Sequence, residues 1–312
     1  MKAYFDVHTH NYLSRCCHER RATAESYVDR AAELGLSILG ISNHCWDERA
    51  PFPVSSSRSA WYYAQSLAFA MQVKTQIPED THGVRVLIGV ETEYCGMYDA
   101  LGMTPEGARQ LDYLLVPHSH THMRDFVMPQ FPDLVTAREN AAEKLEKATG
   151  VSPERAAALA AAIPDEELGP FMPENRTDQA AFLRDFLVKS FDGLMENKDF
   201  KTICGMIPVS VAHPFQPVGS GRLREEILAG IDDGTFCRLF EKTAALGAGL
   251  EINGNCADPQ LVRMNRLAKA CGCRFTLGSD THSAEGMSGI FKTEAATEAA
   301  GVTQDDIMEF FR

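Results

Sequence analysis

Nine of the ten histidines in this 312-residue chain fall in or beside five short clusters, most of them at the end of a strand-like run. The clusters read Asp6-Val7-His8-Thr9-His10 (His18 follows), Asn43-His44, His118-Ser119-His120-Thr121-His122, Ala212-His213-Pro214 and Asp280-Thr281-His282. Gly89-Val90-Glu91 adds a carboxylate, and only His82 stands apart. Imidazoles and carboxylates are the ligands of zinc, iron and manganese. Ligand types spread over the whole chain, each at a strand end, predict a polymetal site at the mouth of a barrel.

The apolar runs support that architecture. Strands are expected at Ala3 to Val7, Leu36 to Ser42, Val84 to Val90, Tyr113 to Val116, Val209 to Ala212, Leu250 to Asn253 and Phe275 to Leu277. The second is almost wholly apolar, as a strand buried on both faces should be. Helices are expected at Thr23 to Leu34 (Thr23 as N-cap, Gly35 as stop), Arg58 to Gln76, Gly234 to Leu246 and Pro259 to Ala270. Two short helices close the chain, the last capped by Thr303. Seven strands alternating with helices imply a parallel, closed or nearly closed barrel, whose site lies at the C-terminal strand ends. The clusters follow strands one, two, three, four, five and seven.

The connection from Met123 to about Ile207 is too long for a plain loop. It carries helix-like stretches at Asp133 to Thr149, Ser152 to Ala162 (Ser152 N-cap, Pro153 in the first turn) and Asp178 to Glu196. It reads as a helical insertion (about 123–207) between strands four and five of one 1–312 domain, either a cap over the site or a peripheral or dimerising pair.

The net charge of -13 argues against broad binding to nucleic acid or anionic membrane. An anionic substrate remains compatible, because bound cations reverse the potential inside a cleft. Nine cysteines without regular spacing suit a reduced, cytoplasmic protein. No apolar run approaches the ~20 residues of a membrane span. Met1-Lys2 leads directly into the first strand, with no signal peptide. A homo-oligomer is compatible with all of this.

His8 and His10 alternate on an extended segment, so both rings can face the mouth. Taken alone, such a pair is more often one core and one surface histidine; the partners at other strand ends reverse the odds. Glu91 ends an apolar strand, where an unpaired carboxylate is costly, so a cation partner is expected. Glu93 could share that face, but Gly89 and the strand position favour Glu91. Asp280 can bind a metal or take a proton from a nucleophilic water; a helix N-cap role would leave His282 unexplained. His44 and His213 are single strand-end histidines. Within His118 to His122, His120 is the preferred ligand, with His118 and His122 as alternatives. Arg15, Arg20, Arg49, Arg124 and Arg222 follow strand ends, and Arg15, Arg49 and Arg222 are the substrate-binding candidates carried forward. Trp46, Phe52 and Trp61 suit either a pocket wall or packing.

This ordered set (HxH, H, E, H, H, DxH) resembles the PHP family, the polymerase-and-histidinol-phosphatase phosphoesterases, over nearly all the chain except the insertion. Leu250-Glu251-Ile252-Asn253 also resembles the Glu-x-Asn strand of the histidinol-phosphatase branch. The resemblance implies an α/β fold, a distorted (β/α)7 TIM-like barrel, with two or three divalent transition metals (zinc, manganese or iron). It implies that His8, His10, Glu91 and Asp280 hold one metal. His18, His44 and His282 hold a second, and a bridging Glu91 with His120 and His213 a third. His18 stands eight residues beyond His10, farther than usual in the family, so Cys16 or Cys17 competes for its place. The expected reaction is hydrolysis of a small phosphorylated metabolite by a metal-activated hydroxide, with Asp280 and His282 as catalytic groups. Two other readings stand beside it. An amidohydrolase-type metal hydrolase also opens with HxH, but normally has eight strands and often a bridging lysine. A non-catalytic metal-binding or regulatory module should have lost ligands.

Overall fold

The computed structural model describes residues 1–123, 126–128, 134–164, 167–168, 176–218, 221–254 and 258–312. Every expected strand forms: β1 (Phe5–Asp6), β2 (Ile38–Ile41), β3 (Arg85–Glu91), β4 (Tyr113–Leu115), β5 (Val209–Val211), β6 (Gly249–Asn253) and β7 (Arg274–Gly278). The seven pair in sequence order and all in parallel. At the C-terminal rim, β7 meets β1: the Val7 amide donates to Leu277 O at 3.1 Å and the Asp280 amide to His8 O at 2.8 Å. Asp6 Oδ1 staples the same seam, accepting from the amides of His8 (3.1 Å) and Ser279 (3.0 Å). The result is a nearly closed (β/α)7 TIM-like barrel.

The interior is filled rather than open. Tyr113 lies across the barrel and donates its hydroxyl to Val7 O at 2.7 Å. Gly40 and Gly89 make this room, since a Cβ on either would collide with the Tyr113 ring. At the opposite end, Phe311 packs on Phe5 (ring centroids 6.0 Å apart) and Tyr113 (5.6 Å). Each such buried aromatic stabilises the fold by about 1.5–3 kcal/mol. The chain's last residues thus pack against the lower end of the barrel, opposite the C-terminal ends of the strands.

Local capping follows the expected chemistry. Thr23 caps the helix Ala24–Glu33, and Gly35 follows it with φ 71°, a left-handed turn that glycine adopts freely. The run expected as one helix, Arg58 to Gln76, divides into Ser57–Tyr63, Leu67–Ala70 and a 3-10 turn, Met71–Gln76. The break has a cause: Gln65 O accepts from the Trp46 amide at 3.0 Å, and Ser66 caps the next segment. The last expected helix is a 3-10 turn, Gln304–Asp306, with the Thr303 capping box in place.

The insertion divides in two. Helix Arg176–Glu196 buries Leu183, Leu187, Phe191 and Leu194 in the main core, as a barrel helix does. Helices Leu134–Thr149 and Pro153–Ala161 pack on each other and add nothing to that core. The expected start at Asp133 lies outside the described residues. A further helix, Lys198–Cys204, leads into β5. No helix among the described residues is long and apolar enough to cross a membrane.

Candidate metal centre

Glu91, the last residue of β3, is 1% exposed and sits between two sets of imidazoles. Its Oε2 lies 3.2 Å from His44 Nδ1, 3.4 Å from His10 Nε2 and 3.5 Å from His8 Nε2. Its Oε1 lies 3.1 Å from His213 Nε2 and 3.8 Å from His120 Nε2. Asp280 Oδ1 adds a second carboxylate, 3.3 Å from His10 Nε2 and 3.5 Å from His8 Nε2. Four overlapping groups have ligand atoms within 4.8 Å of one another: His8–His10–Glu91, His10–Asp280–His282, Glu91–His120–His213 and His10–Cys16–His44.

These residues fit a metal. His8 Nε2, His10 Nδ1, His10 Nε2 and His44 Nδ1 are buried and make no hydrogen bond, although carboxylate oxygens lie close to three of them. Charge partners that are near but misaligned for hydrogen bonding are aimed at a shared point, not at each other. Two ligand atoms each about 2.1 Å from one ion stand about 3–3.5 Å apart, the spacing found here. His213 and Asp280 hold left-handed backbone, φ 28° and 55°, a strain that functional sites tolerate.

A second layer of residues fixes which nitrogen faces the mouth. His8 donates Nδ1–H to Glu251 Oε1 at 2.6 Å, and Glu251 Oε2 accepts the His213 amide at 2.7 Å. His120 donates Nδ1–H to Glu93 Oε1 at 2.7 Å, which also accepts the Tyr62 hydroxyl at 2.5 Å. His213 Nδ1 lies 3.0 Å from Ser119 Oγ. With the proton on each Nδ1, the Nε2 lone pairs of all three turn toward Glu91. Lone pairs facing a buried carboxylate are satisfied only by positive charge between them.

The electrostatics agree. Burial lowers the affinity of His8 for a proton, but Glu251, Asp280 and Glu91 outweigh it and hold the imidazole well above the ordinary range. Burial would raise Glu91, yet His44 and His8 hold it well below the usual carboxylate range. Asp280 is likewise held low, burial being outweighed by His8 and His10. Burial opposes protonation of His120, and Glu93 carries it up to about 9. Burial takes His44 well down, and burial with His10 brings His282 to about 4. Two carboxylates in this pocket demand cations, whether protons or metal ions.

The expected positions divide as follows. His8, His10, His44, Glu91, His120, His213, Asp280 and His282 come together; His18 does not. His18 is exposed and joins none of the groups, while Cys16 stands beside His10 and His44. Asp280 caps no helix among the described residues. His118 is structural: its Nε2 accepts the Phe215 amide at 3.0 Å, and its ring packs edge-on against Phe191 and Phe215. His122 is exposed beside His120. Arg15 stands at the rim, its Nη1 donating to Trp61 O at 3.4 Å. Arg49 is tied to Asp47 at 2.8 Å, and Arg222 is exposed on the turn Gly221–Leu223, with no ion pair to the cluster. Arg20 is exposed, and Arg124 lies outside the described residues. Trp61 packs against His44 at 5.5 Å between ring centroids, and Trp46 and Phe52 stack on each other at 4.8 Å in the aromatic cluster that also takes in Tyr62 and Trp61.

Ser119 and Tyr62 were not singled out from sequence, and neither carries a spacing signal. Glu251 had one, since a carboxylate inside an apolar strand needs a partner for the same reason as Glu91. Arg58 is half-buried near His122; burial, His120 and Arg58 together bring His122 to about 4.

No family model matches the chain, and no curated protein matches it in sequence. Among solved structures it matches a histidinol phosphate phosphatase of Lactococcus lactis subsp. lactis Il1403, complexed with zinc, L-histidinol and phosphate. That match has a TM-score of 0.51 at 15% identity and covers 96% of this chain and 94% of that one. An N-isopropylammelide isopropylaminohydrolase of Burkholderia multivorans ATCC 17616 matches at a TM-score of 0.35 and 13% identity, covering 93% of this chain and 59% of that one. The first likeness concerns the fold alone: the chain shares a TIM-like barrel fold with that phosphatase.

Proposed function

We propose that this chain is a PHP-type metal-dependent phosphoesterase that hydrolyses a small phosphate monoester. The observation that carries the reading is Glu91, a buried carboxylate whose Oε2 faces His8, His10 and His44, each with an unsatisfied ring nitrogen, and whose Oε1 meets His213 Nε2 at 3.1 Å with His120 beyond it. His8, His10, Glu91 and Asp280 would hold one ion, and Glu91, His120 and His213 another. His44 and His282 would contribute to a further one. Bound divalent zinc, manganese or iron would supply Lewis acidity, neutralising phosphoryl charge and giving water nucleophilic character near neutral pH.

The chain's own groups do the rest. Asp280 is the carboxylate of the cluster that opens to solvent, its side chain 37% exposed, and it is placed to accept a proton from an attacking water. His282 is half-buried and stacked on His10 at 4.7 Å, where it would be available to protonate a leaving oxygen. Trp61 and Tyr62 wall the His44 side against water. Among the described residues, Arg15 and Arg58 are cations near the rim that could meet an anionic substrate. The similar phosphatase, solved with phosphate and an amino alcohol, supports a small phosphorylated metabolite as the substrate class. The amidohydrolase-type reading is weaker, because the central bridging group is Glu91 and no lysine among the described residues pairs with the cluster.

The test is elemental analysis of purified protein together with p-nitrophenyl phosphate turnover before and after chelation on one sample. Two to three equivalents of transition metal with turnover lost on chelation and restored by zinc or manganese is the expected result. Turnover indifferent to chelation would sink the proposal.

A further inference from the structure

The segment after β1 sends one histidine out to solvent and one thiol inward. Asn11 Oδ1 accepts the Leu13 amide at 3.0 Å and the Asn43 side-chain amide at 2.8 Å. The Asn11 amide donates to Asn43 Oδ1 at 2.9 Å. Ser14 Oγ accepts the His44 amide at 3.3 Å, and the Arg15 amide donates to Gln65 Oε1 at 2.8 Å. Tyr27 ties the other side, donating to His10 O at 2.9 Å. Pinned this way, the turn places Cys16 Sγ with ring nitrogens of His10 and His44, all within 4.8 Å. The independent observation is on the imidazoles: His10, 0% exposed, and His44, 9% exposed, leave buried ring nitrogens with no hydrogen-bond partner. The Cys17 sulfur is directed elsewhere, donating to His282 O at 3.0 Å. His18 is exposed.

We propose that Cys16, rather than His18, is the ligand supplied by the segment after β1, so that a thiolate joins His44 on the loop-side ion, next to His10. This rests on the metal-centre reading above. Coordination exchanges the Sγ–H bond for an Sγ–metal bond and releases one proton to solvent, with no redox change. A thiolate ligand favours softer ions, so this position takes Zn(II), Fe(II) or Cd(II) in preference to Mg(II) or Mn(II). The centre would then have unlike sites: nitrogen and oxygen ligands around Glu91, His120 and His213, and sulfur on the loop side.

The test loads reduced, metal-free full-length protein with Cd(II) and reads the ultraviolet thiolate-to-cadmium charge-transfer band alongside Cd(II) stoichiometry. The wild type, Cys17→Ser and His18→Ala should show the band; Cys16→Ser should lose it while still binding Cd(II) elsewhere in the cluster. Should Cys16→Ser fail to fold, zinc-edge X-ray absorption of the wild type gives the check, with one sulfur expected at about 2.3 Å. A band that survives in Cys16→Ser, or full Cd(II) binding without a thiolate band in the wild type, overturns the assignment and leaves the metal centre standing. A wild type that retains no Cd(II) overturns both.

Discussion

The imidazoles of the mouth fall into two sets that are held differently. His8, His120 and His213 are each fixed at Nδ1, by Glu251, Glu93 and Ser119 respectively. His10 and His44 have buried nitrogens without partners, and His282 Nδ1 meets only the carbonyl of Asp280, at 3.2 Å in its own turn. The first set is oriented by carboxylates and a hydroxyl at strands or strand ends, so its geometry exists before any ion arrives. The second set has no such side-chain partner on its rings, although the turn beside it is pinned by Asn43 and Gln65. If both sides hold ions, the first would be the more strongly pre-oriented position, and the second would depend more on the ion itself.

Glu91 is the group that the two sides share, so its loss has the largest effect. On the proposed function, Glu91→Ala should remove metal from both sides and lower p-nitrophenyl phosphate turnover by more than the ~100-fold upper end expected for outer-layer changes. Inductively coupled plasma analysis on the variant checks this. Full retention of metal on the preformed side would break the view that Glu91 bridges.

The next effect belongs to Glu251. Glu251→Gln weakens the acceptor for His8 Nδ1–H and for the His213 amide, touching only the preformed set. Metal affinity on that side should fall about 10- to 100-fold, read as a lower-affinity phase in competitive titration against a chromophoric chelator. The loop-side phase should keep its midpoint. Equal weakening of both phases would mean that the two sets are one cooperative unit, and the comparison would dissolve.

The sequence made the preformed side easy to read and the loop side hard, for a physical reason. A strand fixes the direction of each residue, so His8, Glu91 and His213 could be placed from local position alone. The turn after β1 takes its shape from Gln65, roughly 50 residues away, and from Asn43. No local spacing contains that information, and the sequence therefore left His18, Cys16 and Cys17 in competition. The choice among His118, His120 and His122 was hard for a related reason. The alternate spacing gives all three the same strand-like pattern, and only Glu93 distinguishes His120 from His118, which packs on phenylalanines. The seven strands, in contrast, were legible because most are short, largely apolar runs, even where a polar residue such as Glu251 interrupts one.

The smallest effect is expected far from either set. Helices Leu134–Thr149 and Pro153–Ala161 are joined by Arg138, whose Nη1 donates to Ala160 O at 2.9 Å and Ile163 O at 3.1 Å. Arg138→Ala removes these bonds to the end of the second helix and should loosen the pair locally by about 1–2 kcal/mol. Faster amide exchange confined to this helical pair is the expected readout. Metal content and turnover should stay at wild-type values, because the pair adds nothing to the core that positions the site. A drop in turnover with metal content unchanged would instead assign the pair a part in covering the mouth, and would add a third region to the comparison.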